Sequence, residues 1–195
     1  MSEVTIRPGK REDSATIAQL FLISSDGLAE YIWSKIAEPD ETALEAGARR
    51  YAREGVAFSY QNCVLAEVDG TVVGMAHGFP MDTGLAAEPQ TDPVLRPYAE
   101  LEDYGSLYLS GIALFAEHRR RGIGTRLMAS VDDRARTLGR PRVSLICFER
   151  NEGAMRLYRR LNFEELARRA VVPHPLLHYS DGDVVLLARL VPPTG

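Results

Sequence analysis

A short basic segment with two glycines is the part of the sequence best suited to chemistry. Residues 119–125 read Arg-Arg-Arg-Gly-Ile-Gly-Thr, between an apolar run at 107–115 and a helical pattern that begins at Gly122. The start of a helix leaves backbone N–H groups without partners and carries partial positive charge. Glycine lets the main chain approach an anion closely, and arginine adds charge and forked donors. The segment therefore predicts a pocket for a ligand that carries phosphate.

The overall charge favours a small anionic ligand over a long polyanion. The net charge is −4, whereas a general nucleic-acid binder should carry a basic surplus. Positive charge is concentrated in 119–121 and in Arg156, Arg159 and Arg160. The length of 195 residues suits one domain with a sizeable core, so we expect a single domain over 1–195 and no nucleic-acid partner.

The cysteines and the hydropathy predict a cytoplasmic protein without a metal site. Cys63 and Cys147 each lie in a strand-like apolar run, and no C-x-x-C pattern or Cys/His cluster accompanies them. We therefore expect two reduced, partly buried thiols. The first residues contain no apolar signal core, and no run of about 18 apolar residues would span a membrane. The oligomeric state stays open, with a homodimer among the expectations.

Strands and helices must position the basic segment. A helix from Gly122 to Gly139 separates the strand at 107–115 from another at 143–148, an order that predicts a right-handed crossover and a parallel pair. The other predicted strands are 4–7, 63–68, 71–77, 163–172 and 184–190. The other predicted helices are 15–22, 28–36, 40–53 and 154–161, with a short one within 94–102.

Single residues predict local features of this framework. Asp69-Gly70 indicates a hairpin, and Asp40 is the expected cap of the third helix. Gly111, inside the apolar run, indicates a bulge or a close backbone approach. The proline-rich stretch 79–105 is a long loop of the kind that is usually functional or disordered.

Two elements together resemble the GNAT superfamily of acyl-CoA-dependent N-acetyltransferases. The family pattern is Gln or Arg, two residues, Gly, one residue, then Gly or Ala, and Arg119, Gly122 and Gly124 fill it. A second family element is a strand, then Asn, a helix with Tyr, and a Gly-Phe pair. Asn151, Tyr158 and Phe163 fit that element, although Asn162 replaces the glycine. Asn tolerates the left-handed conformation that a helix end needs.

The resemblance implies an α/β (mixed α+β) acyl-CoA N-acyltransferase fold, with a twisted mixed sheet, helices on both faces and splayed central strands. It implies acetyl-CoA as cofactor and a small-molecule or peptide amine as acceptor. The 119–125 backbone would then hold the diphosphate of coenzyme A. Backbone groups of the 107–115 strand would pair with pantetheine, and an N–H of Ile112 or Ala113 would stabilise the oxyanion. The residues expected to bind cofactor are Ile112, Ala113, Leu114, Arg119, Arg120, Arg121, Gly122, Ile123, Gly124, Thr125 and Asn151.

By the same resemblance, Tyr158 is the candidate catalytic acid that protonates the departing thiolate. Its alternative is a tyrosine that packs on an amphipathic helix with the hydroxyl at the surface. Asn151 is equally well interpreted as a cofactor contact or as a helix cap.

The general base stays open. Many relatives carry Glu or Asp on the fourth strand, where this chain has Tyr108 and Ser110. The other titratable candidates are Glu102, Asp103, Glu117, His77, His174 and His178. Water relay, or an amine of low pKa, would remove the need for a base.

The acceptor and the activity leave alternatives as well. The early helices, the loop 79–105 and the turn at 173–183 would recognise the acceptor. An acidic group in that loop would either attract a cationic amine or simply be solvated; it comprises Asp82, Glu88, Asp92, Glu100, Glu102 and Asp103. The leading hypothesis is acetyl transfer to a primary amine by direct attack in a ternary complex. The alternatives are a non-catalytic module that binds acyl-CoA and, less favoured, another phosphate-ligand enzyme, which lacks a Walker lysine.

Overall fold

A computed structural model describes residues 3–82 and 90–193 of the chain. These residues divide into two compact units. The first unit comprises 3–79 and 111–133, and the second comprises 80–82, 90–110 and 134–193. The strand at 107–114 and the helix at 123–137 each begin in one unit and end in the other.

Seven strands form one mixed, mainly antiparallel sheet in the order β1-β2-β3-β4-β5-β7-β6. They are β1 Val4–Pro8, β2 Cys63–Val68, β3 Thr71–Pro80, β4 Leu107–Leu114, β5 Arg142–Phe148, β6 Glu164–Ala170 and β7 Asp183–Leu190. β4 and β5 are parallel, with Leu107 opposite Val143 and Tyr108 opposite Ser144. The mixed α/β class and the predicted parallel pair are therefore confirmed.

The helices follow the predicted order. They are α1 Ser14–Ser24, α2 Leu28–Ile36, α3 Ala43–Tyr51, α4 Arg96–Ala99, α5 Ile123–Thr137 and α6 Glu152–Arg160. α5 begins one residue later than predicted, because Gly122 is left-handed with φ 77°. Asn162, just after α6, is also left-handed with φ 61°, as its place after the helix predicts.

The predicted cap of α3 is wrong. Asp40 lies in a turn with φ 68° and does not begin the helix. Thr42 is the cap instead: its Oγ1 accepts from the Glu45 amide at 3.2 Å, and Glu45 Oε2 accepts from the Thr42 amide at 2.8 Å. This reciprocal capping box satisfies two N–H groups, whereas an aspartate two residues earlier satisfies neither.

The core of the first unit is an aromatic cluster beneath α1, α2 and α3. Phe21 contacts Trp33 and Tyr51 at centroid distances of 5.9 and 5.6 Å. Trp33 is buried against α3, where a Cβ atom added to Gly47 would lie 2.4 Å from the indole ring. The glycine is therefore required by packing rather than by backbone conformation.

Replacing Gly47 with alanine should lower the free energy of unfolding by about 1–3 kcal/mol, the usual cost of overpacking. That cost should exceed the gain of about 1 kcal/mol in helix propensity. Gly153→Ala is the matched control, since that helical glycine has Asn151 Oδ1 as its nearest neighbour at 3.7 Å. Thermal unfolding should show a lower midpoint for Gly47→Ala and an unchanged or raised one for Gly153→Ala. Equal midpoints for the two variants would contradict this packing argument.

The second unit is built on a ladder of β5, β7 and β6, supported by buried polar pairs. Ser106 and Ser144, both buried, share a hydrogen bond of 2.6 Å between their hydroxyls. Asp103 is buried and accepts two hydrogen bonds from Arg142, from Nε at 3.1 Å and from Nη2 at 2.5 Å. These bonds tie the segment before β4 to the first residue of β5.

Candidate functional site

The strand before the basic segment presents two different faces. Along β4 the buried residues Leu107, Leu109, Gly111 and Ala113 alternate with half-buried Tyr108, Ser110, Ile112 and Leu114. Gly111 is a close-approach point, as predicted, because an added Cβ would lie 2.6 Å from Ser24 Oγ and 2.9 Å from the Phe21 ring. One face of β4 thus packs tightly, and the other is partly open.

β3 also approaches β4 closely through a glycine that the sequence reasoning did not single out. A Cβ added to Gly74 would lie 2.2 Å from Leu114 Cδ2 and 3.0 Å from the Ala113 carbonyl oxygen. Gly74 therefore fixes the position of two residues predicted to contact pantetheine. A glycine inside a strand was the available signal.

The basic segment is folded as an anion-binding loop would be. Arg120 and Gly122 are both left-handed, with φ 61° and 77°. The Arg126 amide donates to the Gly122 carbonyl at 3.3 Å, so the amides of Ile123, Gly124 and Thr125 precede the intrahelical hydrogen bonds of α5. Left-handed residues directly before a helix start form the concave arrangement of N–H groups that binds anions.

Most of the loop is accessible to a ligand. Arg119, Arg120, Arg121, Gly122 and Thr125 are exposed, Gly124 is half-buried and Ile123 is buried beneath them. A Cβ placed at Gly122 would meet no described atom within 4 Å. The loop thus combines open space, three cations and a helix start, and its residues fit a diphosphate.

Arg119 has a role that its sequence position did not reveal. Its Nε donates to the Leu114 carbonyl oxygen at 3.1 Å, and the Phe115 amide donates to the Val73 carbonyl at 3.0 Å. These bonds hold the end of β4 against β3 and the basic loop. The structure therefore brings Ile112–Leu114 and 119–125 together within the first unit.

Asn151 and Tyr158 belong to the second unit. Asn151 is the N-cap of α6, where its Oδ1 accepts from the Ala154 amide at 3.1 Å. The cap interpretation of Asn151 is confirmed, and its cofactor contact stays a prediction. Tyr158 is half-buried, with its ring edge-on to Phe163 at a centroid distance of 5.5 Å. The Phe163 amide also donates to the Tyr158 carbonyl at 3.0 Å, which fixes the end of α6 beside the aromatic pair.

Two of the candidate bases are held by structural contacts. His77 is fully buried; its Nδ1 lies 3.3 Å from the Tyr51 hydroxyl and its Nε2 lies 3.0 Å from the Ala57 carbonyl oxygen. Asp103 is engaged by Arg142. Both side chains therefore stabilise the fold around them.

The remaining candidates lie near the surface. Glu102 accepts from the Tyr104 hydroxyl, and Glu117 and His178 are exposed. His174 Nδ1 accepts from the Leu176 amide at 3.2 Å. On β4, burial raises the pKa of Tyr108, and the negative charge of Glu102 raises it further. Tyr108 is consequently a neutral phenol near neutral pH.

The acidic group within the long loop is largely paired. Asp82 contacts Arg140 at 2.6 Å, and Glu100 contacts Arg169 at 2.7 Å. Asp92 accepts from the Val94 amide at 2.9 Å. Glu88 lies outside the described residues. Because Asp82 and Glu100 are paired with arginines, the loop attracts a cationic acceptor less strongly than its number of acidic residues predicts.

Neither a metal cluster nor a membrane span is found in the described regions. Within 3–82 and 90–193, no group of three or more His, Cys, Asp or Glu residues could hold a metal ion. Among the helices of the same regions, none combines the length and apolar character that crossing a bilayer requires. Cys63 and Cys147 lie outside any disulfide and are buried more completely than predicted.

Solved structures of acetyltransferases share this fold. An N-acetyltransferase from Staphylococcus aureus Mu50 aligns with a TM-score of 0.66 and 22% identity, over 95% of this chain and 100% of that chain. A ribosomal-protein-alanine N-acetyltransferase from Brucella melitensis aligns with a TM-score of 0.63 and 20% identity, over 95% and 99%. A GNAT family acetyltransferase from Elizabethkingia anophelis with acetyl-CoA bound aligns with a TM-score of 0.60 and 14% identity, over 96% and 97%.

The sequence itself also matches a family model. Among curated protein sequences, none matches this chain. The model of the acetyltransferase (GNAT) family matches residues 28–163, which are more than half of the 195 residues and include the basic loop, Asn151 and Tyr158. The chain therefore belongs to the GNAT acetyltransferase family.

Proposed function

We propose that the protein transfers an acetyl group from acetyl-CoA to a primary amine, which attacks the thioester directly in a ternary complex. The observation that supports this most is the loop at 119–125: left-handed Arg120 and Gly122, three cations, and a helix start that carries Ile123, Gly124 and Thr125. Acetyl-CoA, when bound, supplies the activated acetyl thioester. The rest of the chemistry depends on residues of this chain.

Under this proposal the loop amides hold the diphosphate, and Arg120 and Arg121 add charge. The backbone of Ile112, Ala113 and Leu114 pairs with the pantetheine arm. An N–H of Ile112 or Ala113 donates to the thioester oxygen as negative charge develops there. The half-buried face of β4 leaves room for such contacts.

The proposed proton transfers involve Tyr158 and the solvent. The amine nitrogen bonds to the acetyl carbon, and the carbon–sulfur bond breaks. The phenol of Tyr158 gives its proton to the departing thiolate, the proton lost by the attacking nitrogen passes to water, and water returns a proton to the phenolate. We propose a water relay because His77 and Asp103 are occupied by Tyr51 and Arg142.

The composition of β4 favours a second candidate function, a module that binds acyl-CoA without transferring the acyl group. The described part of β4 carries no carboxylate, and so no side chain of this strand is suited to take the proton of the amine. This second function shares the cofactor site with the first and differs only in the chemical step.

An amine panel separates these two functions. The protein is mixed with acetyl-CoA and a range of amines, amino acids and peptides, and free CoA thiol is followed with a thiol-specific chromophore. The burial of Cys63 and Cys147 keeps the background low. Transfer predicts thiol release that depends on the amine and equals the acetylated product measured by mass spectrometry. Binding of CoA without thiol release above hydrolysis would support the module and contradict the enzyme.

A further inference from the structure

Arg50, near the end of α3, is a half-buried cation that has no anionic partner among the residues that the structure describes. Its Nε is buried without a hydrogen-bond acceptor, and no carboxylate within 3–82 and 90–193 pairs with its guanidinium. The flanking arginines differ from it. Arg49 pairs with Glu41 at 2.8 Å, and Arg53 Nε donates to the Arg50 carbonyl at 2.9 Å. Within the described ranges, no carboxylate therefore compensates the positive charge at Arg50.

The surroundings of the Arg50 side chain add to the cost of burying its positive charge. Burial lowers its pKa, and the positive charge of Arg53 lowers it further. A buried donor without a partner costs about 1–3 kcal/mol. Such a group in a folded protein calls for an explanation, and a bound water, ion or ligand supplies one.

Aromatic surface lies next to the guanidinium. Its central carbon is 4.5 Å from the centroid of the Phe58 ring, a cation–π contact. Phe58 in turn contacts Phe79 at a centroid distance of 5.5 Å, and both rings are only half-buried. A cation beside partly open aromatic rings is suited to an anion joined to an apolar body. The planar fork of arginine fits carboxylate and phosphate oxygens equally.

We propose that Arg50, with Phe58 and Phe79, binds the oxyanion of a ligand whose body is apolar, a carboxylate or a phosphate ester. Within the first unit, the aromatic rings of this site are connected to β4 by packing contacts. Phe58 contacts Phe21 at 5.9 Å, and Phe21 borders Gly111, the residue before Ile112. Phe21 is buried, so these contacts place the site close to β4 through the core. Within the proposal, the ligand is the acceptor, an amine that also carries an acidic group. This last step rests on the proposed acetyl transfer, whereas binding of the oxyanion does not.

Binding is tested without turnover on protein labelled with ¹⁵N in its arginine side chains. Phenylacetate and phenyl phosphate are the anionic probes, and phenylacetamide is the neutral counterpart. The Nε–H signal of Arg50 is identified as the one that is missing from the spectrum of Arg50→Met. This signal should shift saturably with at least one anion and should not shift with phenylacetamide. Arg49→Met is the matched control and should leave the shift intact. The site would be overturned if neither anion shifts this signal, or if the amide shifts it equally.

The acceptor assignment is tested by kinetics with matched amines, an apolar amino acid and its amide. Arg50→Met should raise KM for the acid by about 10- to 100-fold and leave KM for the amide unchanged, because only the acid uses charged hydrogen bonds to the fork. Arg50→Lys should recover part of the loss. Equal effects on both amines would show that the anion site does not serve the acceptor. If no amine is acetylated, the proposed acetyl transfer is contradicted. The ¹⁵N titration still shows whether Arg50 binds an anion.

Discussion

The Tyr158→Phe variant is expected to lose about 10²- to 10⁴-fold in kcat, the usual contribution of a positioned acid, while its affinity for acetyl-CoA changes little. The substitution removes only the hydroxyl. The edge-on contact with Phe163 at 5.5 Å and the Phe163 amide bond to the Tyr158 carbonyl depend on the ring and on the backbone. The fold around the end of α6 should therefore be preserved, and the loss should be confined to the chemical step.

Acetyl thioesters with different leaving thiols separate proton donation by Tyr158 from a structural role of its hydroxyl. An acetyl thioester whose thiol is more acidic needs less proton donation, so the difference in kcat between Tyr158→Phe and the parent protein should shrink with it. A structural role for the hydroxyl would reduce kcat equally for every thioester. Unchanged kcat with acetyl-CoA would show that solvent, and not Tyr158, protonates the thiolate.

Replacing Gly122 with valine should weaken CoA binding by about 100-fold or more. Gly122 has φ 77°, which costs an ordinary residue about 1–2 kcal/mol and a β-branched one more. The loop can relieve this strain only by turning its amides away from the predicted diphosphate. Each charge-assisted hydrogen bond lost this way is worth about 1.5–3 kcal/mol.

Two control variants separate strain from loss of the site. Gly124→Ala should bind CoA normally, because an added Cβ would lie in ordinary contact, 3.8 Å from Leu114 Cδ1. Gly139→Val places similar strain at φ 64°, after the other end of α5. It should lower the thermal midpoint and leave the CoA dissociation constant unchanged. Equal CoA binding by Gly122→Val and Gly139→Val would contradict the proposed role of the loop.

Local signals in the sequence predicted the fold well where one short pattern dominates. Asp69-Gly70 forms the predicted hairpin, with both residues left-handed. The bounds of α2 agree with the prediction, and Gly111 is a close-approach point. The hairpin depends on backbone geometry that two adjacent residues determine. The close approach at Gly111 involves Phe21 and Ser24, which are distant in sequence, and a glycine inside a strand was its signal.

Features that depend on which of several suitable side chains makes a given contact could not be predicted this way. Asp40 and Thr42 are both good caps, and the reciprocal bond with Glu45 favours Thr42. Arg119 is predicted to contact the ligand, and only the folded chain shows that its Nε also donates to the Leu114 carbonyl. Arg50 resembles its neighbour Arg49 in sequence, and only the folded chain shows that Arg49 pairs with a carboxylate whereas no carboxylate in the described part of the chain pairs with Arg50.

Calorimetric titration of the folded protein with CoA and with acetyl-CoA tests the central claim most directly. Measurements at two temperatures guard against an enthalpy near zero at one of them. The account predicts one-to-one association with both compounds, weakened by salt and by Gly122→Val. Well-folded protein that gives no heat of association with either compound at both temperatures would contradict it.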